Sequence, residues 1–118
     1  MGEGSDPALP LTESTFYILL SLALDSKHGY AILKHVESLS EGQLVLSAST
    51  LYSALMRLQD QGLIQRIDTD DEAGANPGLP RKAYALTERG RHALEAEMAR
   101  LRRQVRVGQR SLGGEFGR

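Results

Sequence analysis

A mainly α fold with one β hairpin is predicted from three observations in the sequence. Leu51, Leu55 and Leu58 recur at four and three residues and Gly62 closes the run, which is one face of a helix. An alternating stretch, Leu63 to Ile67, comes directly after, and Lys82 to Leu86 can return beside it after a loop dense in turn formers. Leu94, Met98, Leu101 and Val105 then fall at intervals of four, three and four, a coiled-coil seam about two heptads long. Together these are the parts of a winged helix-turn-helix: a three-helix head, a two-stranded β wing and a long C-terminal dimerisation helix.

Taken in order, residues 1–10 hold glycine, serine, proline and acid, and are expected to be a flexible arm. Residues 11–86 form the winged-helix head. Thr12 can cap a first helix from Glu13 to about Ser26. Phe16, Leu19, Leu20 and Ala23 make one apolar stripe there, while Ile18 and Leu22 lie on another side. A helix apolar nearly all round needs cover on more than one face, and a second subunit is expected to supply it. His28-Gly29 breaks that helix. A second helix, about Tyr30 to Leu39, turns Ile32, Val36 and Leu39 inward and Lys34 and Glu37 outward.

After a turn at Ser40-Glu41-Gly42, the third helix covers about Ser47 to Gln61. Its apolar stripe would suit an ordinary core helix equally well; the glycine stop and the hairpin after it favour a recognition helix leading into a wing. Thr87 caps the last helix, expected to reach about Arg106, within a dimerisation segment of residues 87–108. At 1.5 Å per residue it is about 30 Å long, more than a three-helix core can cover. The alternative to dimerisation is packing back on its own head. Residues 109–118 are expected to be a flexible tail.

Composition narrows the class. The 118 residues support one domain with a small core, and there is no Trp. The absence of Cys excludes a disulfide framework and thiolate chemistry. No segment approaches the ~20 apolar residues of a membrane span, and the first residues lack the regions of a signal peptide. A cytoplasmic protein with no membrane partner is expected. The net charge of −1 hides a division: residues 1–80 carry 4 Lys/Arg against 11 Asp/Glu, whereas residues 81–110 carry 9 against 3. Local potential draws phosphate in, so the second half is suited to a polyanion. A solvated basic helix face would give the same asymmetry.

The third helix begins with small hydroxyls. Ser49, Thr50, Tyr52 and Ser53 can bond phosphates or bases without holding a helix away from a groove, and the free N–H groups of a helix start favour an anion. Arg57, one turn on, is the one long donor on that helix, and Arg81 and Lys82 stand at the base of the wing. Asp70, Asp71 and Glu72 argue against a wing tip close to phosphate. With few base readers, specificity is expected from two symmetric half-sites and from DNA shape. His28, His35 and His92 match no ligand spacing, so no metal and no cofactor is expected. Ser and His occur without a triad-like context, and no enzyme activity is expected.

Three blocks then carry a resemblance: His28-Gly29-Tyr30-Ala31-Ile32; Ser49 to Tyr52 with Leu55, Arg57-Leu58 and Gly62-Leu63-Ile64; and Pro80-Arg81-Lys82-Ala83-Tyr84-Ala85-Leu86-Thr87-Glu88-Arg89-Gly90. In this order they resemble the PadR family of bacterial transcriptional regulators, and the short C-terminal region is similar to its small subfamily. The resemblance implies a homodimeric repressor-type protein joined through the last helix at Leu94, Met98, Leu101 and Val105. Its third helix would enter the major groove of double-stranded DNA at a palindromic operator. Family members often have Gly where Ser49 stands and Pro where Ser53 stands, so the contact surface here differs. Small members that hold planar drugs in the interface use a Trp, which this chain lacks. A small apolar or aromatic effector is expected between the first helix and the partner's last helix, at Tyr17, Ile18 and Leu22. The competing reading is a winged-helix protein–protein adaptor that binds no operator.

Overall fold

The computed structural model describes residues 9–68 and 82–113. Four helices and three short strands run in the order α1 (Glu13–Ser21), β1 (Lys27–His28), α2 (Gly29–Leu39), α3 (Ala48–Asp60), β2 (Ile64–Asp68), β3 (Lys82–Leu86) and α4 (Glu88–Leu112). The fold is the mainly helical winged helix that the periodicity predicts. Three helices start on a hydroxyl cap: Thr12, Ser47 and Thr87 each accept a backbone N–H from three residues on, at 3.0–3.1 Å. Gly62, at φ +77°, ends α3 in a conformation that favours glycine.

The core is built from Ile18, Leu19 and Leu22 around α1, Ile32 and Val36 of α2, Leu51, Leu55 and Leu58 of α3, Leu63 and Ile64, and Tyr84 of β3. The first two turns of α4 belong to it as well, through Ala93 and Leu94. Gly90 makes this close approach feasible, since a Cβ there would stand 2.1 Å from the Leu63 carbonyl oxygen. Thr87 fixes the same corner, its N–H donating to Leu63 O (3.1 Å) and its hydroxyl to Gly62 O (2.7 Å).

The structure corrects four expectations. α1 stops at Ser21 rather than Ser26. Its last carbonyls and those of the turn after it are taken by other groups: Leu22 N–H and Ala23 N–H donate three residues back, Lys27 Nζ donates to Ser21 O (2.8 Å) and, past the helix end, Arg91 Nη2 to Ala23 O (3.0 Å). Beyond that turn, Lys27–His28 form β1, so the sheet has three antiparallel strands in the order β1-β3-β2, not two. β1 pairs Lys27 with Tyr84 and His28 with Ala83; β2 pairs Arg66 with Tyr84 and Ile64 with Leu86.

Ile18 and Leu22, expected to need a second subunit, are covered by the chain's own core, whereas Phe16, Tyr17 and Leu20 stay partly open. Last, α4 runs to Leu112 rather than Arg106, so residues 109–112 are helix and not tail. Between Arg106 and Gly113 the weakest helix former is Gly108, at about 1 kcal/mol, and Arg110 in the last turn favours the dipole. The 25-residue helix is about 37 Å long. Residues 1–8, most of the expected arm, lie outside the described residues, as does the wing loop with Asp70, Asp71 and Glu72.

Candidate nucleic-acid interface

α3 buries Leu51, Ala54, Leu55 and Leu58 and turns Ser49, Ser53, Met56 and Asp60 outward, at intervals of four, three and four. That outer stripe is the centre of the candidate surface. At its start, Ser47 Oγ accepts the Thr50 N–H (3.1 Å) and donates to Thr50 Oγ1 (2.9 Å), with Ser49 Oγ 3.3 Å away. Three hydroxyls therefore cluster at the positive end of the helix dipole, a setting that suits an anionic oxygen.

Tyr52 stands on the flank facing the sheet and is half open. Its ring lies over Gly29, where a Cβ would stand 2.2 Å from the hydroxyl oxygen, so the first turn of α2 holds it in place. With Met56, Gln59, Asp60, Arg66, Lys82 and Tyr84 it lines a hollow of about 390 Å³ between α3 and the hairpin. Burial, and then the neighbouring Tyr52, push the Tyr84 hydroxyl above the ordinary tyrosine value, with Arg66 pulling the other way. Tyr84 is thus a neutral hydroxyl at neutral pH. Lys82 is exposed at the rim, and its carbonyl lies 3.1 Å from His28 Nδ1, which ties the root of the hairpin to β1.

Of the residues expected to face DNA, Ser49, Thr50, Tyr52 and Ser53 share one end of α3, and Lys82 stands across the hollow from it. Arg57 does not join them. It sits on the opposite flank of α3, where Nη2 donates to Thr15 Oγ1 (3.1 Å) at the start of α1. Arg81 lies outside the described residues. Arg66 was missed. It shares a strand face with Ile64, and opposite Tyr84 it reaches the hollow that Lys82 also lines; the period of two through Ile64 is the signal that points to it.

The expected dimer seam divides. Leu94 is buried in the chain's own core, while Met98, Leu101 and Val105 are 39%, 37% and 57% exposed. The same spacing continues through Gly108 to Leu112, 82% exposed, so the open face is longer than expected. Of the expected effector pocket, Tyr17 alone stays partly open. Among the described residues, no group of three or more His, Asp or Glu could hold a metal, and no helix is long and apolar enough to cross a membrane.

Residues 18–96, α1 through the first turns of α4, match the family model described as transcriptional regulator PadR-like family. The chain belongs to that family. PadR-like proteins are transcriptional regulators, not enzymes. The chain is similar to the transcriptional regulator YqjI of Escherichia coli K12, 36% identical over 83 residues, which is 70% of this chain and 36% of that protein. It thus spans about a third of the length of the curated relatives that it matches. A PadR family transcription regulator of Clostridium difficile R20291 superposes with a TM-score of 0.69 at 26% identity, covering 86% of this chain and 100% of that one. Bacillus subtilis PadR in complex with operator DNA gives 0.65 at 24% identity, covering 76% of this chain and 48% of that one, a likeness of fold. The PadR match ends at residue 96, so the open face of α4 from Met98 onward lies beyond it.

Proposed function

We propose that this PadR-like regulator is a cytoplasmic bacterial repressor that binds double-stranded DNA as a homodimer at a palindromic operator. The observation that carries the reading is the start of α3: three clustered hydroxyls on a capped, outward-facing helix end, with Lys82 and Arg66 beside it on the hairpin. α3 enters the major groove by that end, Ser49, Thr50 and Ser53 set its depth against phosphate and base edges, and Lys82 and Arg66 lie along the backbone. The Bacillus subtilis relative with operator DNA has the same head architecture, which supports this use of it. The open α4 face from Met98 to Leu112 is what a second copy covers, placing two heads on one duplex. An effector at the half-open Tyr17 would act by changing the separation of those heads.

The test is a titration of labelled DNA from the promoter of the chain's own gene at several salt concentrations. The logarithm of affinity should fall linearly with the logarithm of salt. Lys82→Ala and Arg66→Ala should each weaken binding and lower the slope by about one for every phosphate left unneutralised, doubled if the change acts in both copies of the dimer. Arg57→Ala should change the slope little, because Arg57 is engaged with Thr15. A salt-independent affinity, or indifference to both hairpin variants, would favour the protein–protein adaptor.

A further inference from the structure

The outward stripe of α3 lacks the side chains that read purines. Arginine, lysine, asparagine and glutamine fork onto guanine or adenine edges in the major groove. Ser49, Ser53, Met56 and Asp60 include none of these. Gln59 is a second long donor of α3 beside Arg57, the one expected, and both are engaged elsewhere: Arg57 Nη2 on Thr15 Oγ1, and Gln59 Nε2 on the Leu55 carbonyl (3.4 Å) beside the hollow. Asp60, at the far end of the stripe, would meet phosphate with like charge, so the first three turns are the part that can approach the groove. Those turns end on Met56, 66% exposed, one turn beyond Ser53 on the same line.

Hydroxyls bond either base type, and the one base feature in the major groove that an apolar side chain can select is the thymine 5-methyl group. A thioether chain, unbranched and adaptable, covers such a methyl well. We infer that Met56 is a specificity-determining residue and that it reads thymine by covering its methyl group, with the Thr50 methyl as a second contact nearer the helix start. The inference rests on the DNA-binding reading above and adds what the helix selects. Sequence preference then resides in methyl contacts, with the hydroxyls as position-setting bonds.

The experiment begins with sequences selected by the full chain from a random duplex pool. The selected duplex is then made with deoxyuridine in place of thymidine, one position at a time, which removes the methyl and nothing else. At one or two positions in each half-site the affinity should fall about four-fold, the worth of one buried methyl group. Met56→Ala should abolish the penalty at one of those positions, and Met56→Leu should keep most of it. Complete uridine substitution within a two-fold change of affinity, or an unchanged pattern in Met56→Ala, would overturn the assignment while leaving DNA binding intact. A chain that enriches no sequence would overturn the DNA-binding reading and this inference with it.

Discussion

Glu97 is a carboxylate buried in α4, and its partners decide its charge. Arg100 grips it with two bonds, Nε to Oε1 at 2.9 Å and Nη2 to Oε2 at 2.7 Å, and the Leu11 backbone N–H, just ahead of α1, donates as well. The Arg100 hydrogen bonds are the largest influence and hold the group below the ordinary glutamate value, although burial works against them. A lowered pKa means that the folded chain favours the charged form. The stabilisation is therefore complete above the unfolded value of about 4.3 and is lost as pH falls from there through the lowered folded value. Thermal melts between pH 6 and pH 3 should show wild type losing more stability than Glu97→Gln, with the curves converging at the acid end. Parallel curves would mean that the Arg100 clasp is electrostatically silent. At this scale the caps Thr12 and Thr87 were legible, as hydroxyl residues each followed by an acidic first helical residue, whereas Ser47, expected as the first residue of its helix, is the cap that precedes it. The Arg57–Thr15 bond was not: it joins residues 42 positions apart, and a helical pattern places Arg57 on a flank without saying what that flank touches.

At the scale of elements, local pattern located what local forces decide. The bounds of α3 and β3 arise from a cap, a positive-φ glycine and a period, and all three stand in the sequence. The end of α1 did not, because Ser21 O at its last residue is claimed by Lys27 and Ala23 O in the turn beyond it by Arg91, both from later segments, and β1 exists because β3 offers it an edge. α4 shows how the two kinds of information combine. Its first turns are fastened to the head through Gly90, Ala93, Leu94 and Glu97, and its remaining turns keep a heptad line open to solvent. Leu101, near the middle of that line, is the position to test. Leu101→Asp should leave the head folded, with unchanged helix content, while converting a dimer of about 26 kDa into a 12.9 kDa monomer by light scattering. The weight should stay at the monomer value over a wide concentration range. A dimer that survives the substitution would place the subunit contact elsewhere on the chain.

For the whole molecule the division of charge becomes an argument about assembly. The first 80 residues are acidic, so on the proposed reading one head would meet DNA through a few local cations and gain little from its overall field. Such a head should bind weakly alone. Two heads joined by a stiff helix pair make the second contact intramolecular, provided that the half-sites match their separation. Major grooves on one face of a duplex recur every 10–10.5 base pairs, about 34 Å. Inserting five base pairs between half-sites therefore turns one of them to the far side of the helix, and inserting ten restores the face at a greater distance. The wild-type chain should lose most of its affinity on the first insertion. It should regain only what a span about 34 Å longer permits, which for a rigid pair of helices is little. Leu101→Asp should be indifferent to both insertions and should show about half the wild-type salt slope, because each bound head then neutralises its own phosphates and no others. Mobility shifts on three duplexes with two proteins carry the comparison. If wild type ignores half-site spacing as the monomer does, the heads act one at a time, and the open face of α4 serves some purpose other than pairing them on an operator.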